Sequence, residues 1–258
     1  GRRNNNMQWF KLPPKVYFEP NAIKYLSEME GLERVMIVTD ESMVKLGFAG
    51  RIIDQLNRRK NKVQYEVFAG VEPNPDITTV KRGLDIMNTF KPNAIVALGG
   101  GSPMDAAKIM WLFYERPDAD FTELVQKFAD IRKRTVKFPH LGQKAKFIAV
   151  PTTSGTGSEV TPFAVISDKE NDKKYPLADY AITPHVAIVD PVLVQTVPAR
   201  PTASTGMDVL THATEAYTSI LANDYTDGLA LRAIKLVFEN LESSVKNADF
   251  HSREKMHN

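Results

Sequence analysis

AIVALGGGSPMDAAKIMW, residues 94–111, is the stretch on which the reading of this chain turns. Ala94–Leu98 is an apolar run too short for an ordinary helix, and three glycines follow it at once, the pattern of a buried strand entering a turn. A helix comes next: Ser102 is placed to cap it, Pro103 fits its first turn with Asp105, and Ala106, Ala107, Ile109 and Met110 continue it. Gly99, Gly100 and Gly101 let a ligand approach bare backbone, while the N–H groups and dipole at the helix start favour a phosphate. This is a dinucleotide pyrophosphate seat in outline. A helix that simply packs close to a sheet carries the same glycines, so both readings stand locally. The turn is not the G-x-G-x-x-G fingerprint, and no Gly-Lys-Ser/Thr follows, so an ATPase reading has no support.

Working outward, the same strand-then-helix rhythm recurs. Val35–Thr39 (VMIVT) reads as a buried strand with Asp40 at its carboxyl end, and Met43–Arg58 has apolar residues at helical spacing. Val63–Phe68 alternates as a strand; after the turn-rich VEPNPD (Val71–Asp76), Ile77–Asn88 reads as a helix. Phe147–Val150 and Val186–Val189 are further short apolar runs, ending in Pro151 and Asp190. Strands alternating with helices imply an α/β fold with a mainly parallel sheet, whose ligands sit at the carboxyl ends of the strands. Asp40, Gly99–Ser102 and Thr152-Thr153 all fall at such ends.

The flanks differ. Residues 1–8, beginning GRRNNN, read as a linker, and the aromatic-rich segment around Pro13-Pro14, with Trp9, Phe10, Tyr17 and Phe18, reads as extended chain docking on the domain edge. Arg116–Lys146 is charged and loop-like around one helix, a solvated insertion or a docking surface for another domain. Residues 9–197 are expected to form the dinucleotide-binding α/β domain. From 198 to 258 the pattern is helical throughout, the start of an all-α domain expected to be incomplete in this chain.

The 258 residues hold one large or two modest domains. With 43% apolar and 25% charged residues the composition is that of a globular protein, and 33 basic against 31 acidic side chains ask for neither nucleic acid nor an acidic membrane surface. There are no cysteines, which excludes disulfides, thiolate metal sites and a cysteine nucleophile. No apolar run approaches the ~20 residues of a membrane span, so a cytoplasmic protein is expected.

Two further stretches have the residue types of a reactive site. In STGMDVLTHATEAY, Asp208 and His212 lie four apart on one helix face, where a carboxylate and an imidazole grip a divalent cation or else bond each other; Glu215 lies a turn beyond. PTTSGTGSEVT (Pro151–Thr161) leaves a strand with two threonines and continues as a hydroxyl-rich loop, suited to phosphate, ribose or an amide, or simply a turn. Asp40 is suited to accept from a ribose or to cap a helix. His140, His185, His251 and His257 read as surface histidines, and the absence of a G-x-S-x-G elbow disfavours a serine hydrolase.

GGGSPMDAAK (Gly99–Lys108), PTTSGTGSEVT, AIVDP (Ala187–Pro191) and GMDVLTHATEAY (Gly206–Tyr217), in this order, resemble the iron-containing alcohol dehydrogenases. The opening MQWFKLPPKVYFEP, the Arg116–Lys146 insertion and KYPLADYAITP (Lys174–Pro184) are similar to the alcohol dehydrogenase half of the bifunctional aldehyde–alcohol dehydrogenases, in which an aldehyde dehydrogenase domain precedes this one.

The resemblance implies NAD(H) and a catalytic Fe²⁺, with Zn²⁺ as an alternative metal, in a cleft between the two domains. By resemblance, Gly100, Gly101, Ser102 and Asp105 match the pyrophosphate and nicotinamide region, and Asp40 the ribose-reading acid that favours NAD over NADP. Thr152, Thr153, Thr156, Thr161 and Lys174 match further cofactor contacts, and Asp208 and His212 the first two metal ligands. The implied reaction is reversible reduction of acetaldehyde to ethanol, with butanol or diol substrates as the alternative and a homo-oligomer or filament as the assembly. The family's two further histidine ligands lie beyond Asn258, so the chain by itself is expected to bind iron poorly. An assembly module without catalysis, and a lyase of the dehydroquinate synthase type, are the competing expectations.

Overall fold

The computed structural model describes residues 15–119, 141–153, 163–178 and 182–195. The linker, Trp9 and Phe10, the helix expected within Arg116–Lys146, Thr156, Thr161, Asp208, His212 and the expected all-α domain lie outside the described residues.

The chain enters through β1 (Lys15–Phe18), a single 3₁₀ turn (Ala22–Lys24) and the short α1 (Tyr25–Glu28). Then come β2 (Arg34–Val38), α2 (Glu41–Lys45), α3 (Phe48–Asn57) and β3 (Gln64–Phe68). They are followed by α4 (Ile77–Phe90), β4 (Ala94–Gly99), α5 (Gly101–Glu115) and β5 (Lys146–Pro151). The described chain closes with β6 (Phe163–Asp168), β7 (Lys173–Ala178), β8 (Val186–Val189) and α6 (Pro191–Gln195).

Six strands form one sheet in the order β1-β8-β5-β4-β2-β3, every pair parallel. Both faces of the central strands β8, β5, β4 and β2 are covered, which is why these read as unbroken apolar runs, whereas the edge strands β1 and β3 are partly exposed. Met36, Val38, Ile95, Ala97, Phe147 and Ala149 point to the side carrying α4 and α5. The intervening Val35, Ile37, Val96, Leu98, Ile148 and Val150 join Leu26, Phe48, Ile52 and Leu56 of α1 and α3 on the other. On the first side Trp111 is fully buried, donates from Nε1 to the Ala145 carbonyl at 3.0 Å and packs against Phe147 with ring centroids 5.0 Å apart. Truncating so large a buried aromatic to alanine costs about 3–5 kcal/mol.

Where α5 ends, the Glu115 carboxylate accepts the backbone N–H groups of Gly142, Lys144 and Ala145 at 2.9–3.1 Å. A buried carboxylate thus satisfies the turn that launches β5, and Glu115 is only 9% exposed.

Two expectations are corrected, and a hairpin is added to the mainly parallel sheet that was expected. Met43–Arg58 is not one helix: Gly47 adopts φ 81°, a left-handed conformation open to glycine, and its break lets α3 turn its apolar face to the sheet independently of α2. The β6–β7 hairpin is antiparallel and separate from the main sheet; the Asp168 side chain accepts from the Asn171 N–H at 3.1 Å and Asp172 turns at φ 48°, reversing the chain within four residues. His185 is not a surface histidine but a half-buried one whose Nδ1 accepts the Phe147 N–H at 2.9 Å, because it stands where β5 needs a partner at its amino end. No helix among the described residues is long and apolar enough to cross a membrane.

Candidate dinucleotide site

Strand order marks where a ligand of this sheet would sit. From β2 the chain moves outward to β3, then crosses back to place β4 on β2's other side, so successive connections leave the β2–β4 boundary in opposite directions. Ligands of open parallel sheets bind in the crevice at such a reversal, at the carboxyl ends of the strands. Here those ends are Thr39-Asp40 after β2 and Gly99–Gly101 after β4, with Pro151–Thr153 alongside at the end of β5.

Thr39 holds the crevice open to a fixed width. It is fully buried, its Oγ1 donates to the Leu98 carbonyl at 2.7 Å, and its backbone N–H donates to Phe68 at 2.9 Å. Asp40, next along, is half-buried and caps α2, its Oδ1 accepting the Met43 N–H at 2.9 Å. The capping role therefore occupies one carboxylate oxygen. The other accepts nothing among the described residues.

Gly99 ends β4 at φ 135°, a backbone region L side chains rarely enter, and a Cβ there would lie 2.9 Å from Pro103 Cγ. Its carbonyl accepts the Thr152 N–H at 3.0 Å, tying the glycine turn to the end of β5. Helix α5 starts earlier than expected. Gly100 is its N-cap, with no side-chain cap, so Ser102 does not cap the helix but stands inside its first turn. The extended backbone of Gly100 (φ −84°, ψ −159°) permits this start, and the proline at the third helical position costs nothing because its missing N–H would have had no intrahelical partner. The N–H groups of Gly101 and Ser102 consequently have no side-chain partner among the described residues, at the positive end of a 15-residue helix.

A Cβ on Gly100 would lie 3.1 Å from Thr153 Oγ1, so the bare glycine keeps backbone accessible between β4 and β5, as a pyrophosphate would require. Thr153 is half-buried at that opening. Thr152 turns inward instead, fully buried with its hydroxyl donating to Met43 Sδ at 3.3 Å, and so belongs to the floor.

The third wall escaped the reading of the sequence. Asn74, in the β3–α4 loop at φ 53°, donates its backbone N–H to Ser102 Oγ at 3.3 Å. The signal available was Pro73-Asn74-Pro75: asparagine is one of the few residues that tolerates the left-handed region, and the prolines restrict the rest of the loop. The β6–β7 hairpin then closes on this loop, its Ser167 N–H donating to the Pro75 carbonyl at 3.0 Å and its Lys169 pairing with Glu72 at 3.0 Å. Asp105 of α5 accepts the Val165 N–H on Oδ2 at 3.0 Å, so it anchors the hairpin. Lys174 lies opposite Ser167 in the hairpin register and is exposed.

The described residues thus bring Asp40, Gly100, Gly101, Ser102, Asp105, Thr152 and Thr153 to one edge of the sheet, with the strand that carries Lys174 bound to it through Ser167. Thr156, Thr161, Asp208 and His212 fall outside them, and no group of three potential metal-ligating side chains occurs among the described residues.

Comparison with known proteins agrees with this geometry. Residues 13–191 match the family model of iron-containing alcohol dehydrogenase, and residues 202–258 match the model of the C-terminal part of the same family. The chain is 74% identical over its whole length to an aldehyde-alcohol dehydrogenase of Streptococcus pneumoniae, spanning 29% of that protein. Among solved structures, an iron-containing alcohol dehydrogenase from Thermococcus thioreducens superposes with a TM-score of 0.86 at 34% identity, covering 96% of this chain and 64% of the other. The sulfoacetaldehyde reductase of Bifidobacterium kashiwanohense, solved in complex with NAD⁺, superposes with a TM-score of 0.80 at 36% identity, covering 97% and 64%. A parallel sheet with a glycine turn and an uncapped helix at its reversal point, matched along most of its length by one family model, places this chain in the iron-containing alcohol dehydrogenase family.

Proposed function

We propose that this chain supplies the NAD(H) seat and the first metal ligands of an iron-dependent alcohol dehydrogenase, working as the alcohol dehydrogenase half of a bifunctional aldehyde–alcohol dehydrogenase that interconverts acetaldehyde and ethanol. The observation that carries the reading is the pairing of Asp40 and the uncapped start of α5 on adjacent strands at the sheet reversal. A pyrophosphate and an adenosine ribose are spaced to meet such a pair.

In this reading the Gly101 and Ser102 N–H groups donate to the pyrophosphate. The second oxygen of Asp40 accepts from the ribose and repels a 2′-phosphate. Ser102 Oγ, held as an acceptor by Asn74, directs its own proton towards the ligand. Asp105 positions the hairpin, and Thr153, Thr156, Thr161 and Lys174 add polar contacts around the nicotinamide. Residues 9–197 form the cofactor domain and 198–258 begin the helical domain, where Asp208 and His212, one helical turn apart, hold Fe²⁺ or Zn²⁺. When bound, the nicotinamide supplies hydride and the metal supplies Lewis acidity toward the aldehyde oxygen. The enzyme is cytoplasmic and oligomeric, with an aldehyde dehydrogenase domain preceding this chain in the same polypeptide.

The test uses the full-length bifunctional protein loaded with Fe²⁺. NADH binding, followed by its fluorescence, is expected to weaken in Asp40→Ala. Acetaldehyde reduction is expected to fall by at least about 100-fold in Asp208→Ala and His212→Ala while NADH affinity holds. NADH affinity indifferent to Asp40, or activity indifferent to both ligand substitutions, would sink the proposal.

A further inference from the structure

A parallel sheet has two ends, and the dinucleotide seat uses only one. At the amino end, Lys15 opens β1, Lys146 opens β5 and Val186 opens β8, on three strands adjacent in the order β1-β8-β5. Together with Gly142 and His185 they line a cavity of about 310 Å³. Parallel pairing alone brings the first residues of distant strands to one rim, so two lysines remote in sequence share one opening.

Among the described residues the charges there are unbalanced. Neither the Lys15 nor the Lys146 ammonium group has a carboxylate or hydrogen-bond partner among the described residues. The nearby acid, Glu115, is committed to the N–H groups of Gly142, Lys144 and Ala145. Lys144, in contrast, has a partner, its Nζ donating to the Tyr114 carbonyl at 2.8 Å. The imidazole of His185 accepts the Phe147 N–H on Nδ1 at 2.9 Å, so that nitrogen is turned to the sheet. Two like charges on the lining of one opening repel each other, so an anion between them lowers the energy of the pair.

We propose that this cavity is an anion site on the face opposite the dinucleotide seat, taking a small phosphorylated molecule through the ammonium groups of Lys15 and Lys146. A phosphate group carries nearly two negative charges at neutral pH, matching two lysines, and lysine serves phosphate as a point charge. The volume is at the small end of the range for small-molecule pockets, enough for the phosphate and a short polar body.

Inorganic phosphate is the probe, titrated calorimetrically into the intact protein at constant ionic strength with chloride as the balancing anion. Saturable binding is expected, weakened by about tenfold in Lys15→Gln and in Lys146→Gln and preserved in the corresponding arginine variants. Saturating NADH and Ser102→Ala are expected to leave it unchanged. Binding that NADH displaces, or that Ser102→Ala removes, would put the phosphate in the glycine turn and overturn the proposal. So would binding indifferent to both lysines, or no saturable binding by about 10 mM phosphate. Circular dichroism melts of the glutamine variants separate lost binding from lost folding; an unfolded glutamine variant hands the decision to the NADH competition.

Discussion

Thr39 Oγ1 donates to the carbonyl oxygen of Leu98 at 2.7 Å, a side-chain bond that joins β2 to β4 at the point where the two strands part. It lies directly beneath the crevice formed by Asp40 and the glycine turn, and it is wholly buried. Thr39→Val keeps the shape and deletes the donor. The expected cost is about 1–2 kcal/mol, read as a lower urea midpoint at unchanged slope. An unchanged midpoint would mean that backbone pairing alone sets the crevice.

Asp40 caps α2 and, in the proposed function, also reads the ribose, and substitutions separate the two. Asp40→Ala removes the cap on α2 and is expected to cost about 1 kcal/mol of stability as well as NADH affinity. Asp40→Asn keeps an oxygen for the Met43 N–H and removes only the charge, so stability holds while discrimination against NADPH falls. Titrating both variants with NADH and NADPH reads the two effects apart; an asparagine variant that still excludes NADPH would remove the charge-repulsion argument.

Gly99 tests the turn itself. Gly99→Ala places a Cβ at φ 135° and 2.9 Å from Pro103 Cγ, so the start of α5 must shift. The expected loss is about 1–3 kcal/mol of stability, with weakened NADH binding alongside it. Wild-type affinity in this variant would show that the turn tolerates displacement.

Glu115 closes the opposite end of α5. In Glu115→Gln the amide oxygen can keep the Oε1 bonds of Gly142, Lys144 and Ala145, but the charge is lost and the amide NH₂ faces the Lys144 N–H at the Oε2 position, an expected loss of about 1–3 kcal/mol. Chemical denaturation measures it, and a loss below the range of ordinary surface changes would show that the turn does not depend on the carboxylate.

The pH response can be followed at Glu19. Its carboxylate accepts from the Tyr25 hydroxyl at 2.8 Å and pairs with Lys24 at 3.2 Å; the hydroxyl first and the ammonium second hold its pKa below the ordinary value. A lowered folded-state pKa means the contact stabilises above the ordinary glutamate range and is lost as pH falls through the lowered value. The same bond raises Tyr25, so on that side the contribution is lost as pH rises through the raised phenol value. Carbon-detected NMR titration should show Glu19 returning toward its ordinary value in Tyr25→Phe, and an unmoved titration would assign the shift to Lys24.

Much of the fold was legible in the sequence because it rests on local pattern. VMIVT, AIVALG and the run before Pro151 are apolar on both faces, which only a sheet covered on both sides accommodates, and the glycines after Leu98 announce a turn where backbone must stay bare. Tertiary structure decided what depends on neighbours remote in the chain. Parallel pairing of β2 with β4, rather than any local signal, sets Asp40 beside the start of α5, and the floor role of Thr152 follows from its bond to Met43 Sδ, whereas the Asp40 cap on Met43 is local. Asn74 joined the site, and His185 left the surface, because each bonds a residue far from it in sequence, Ser102 in one case and Phe147 in the other. Hydrophobic period is written residue by residue, whereas a hydrogen bond across the sheet exists only once the order of strands has been chosen.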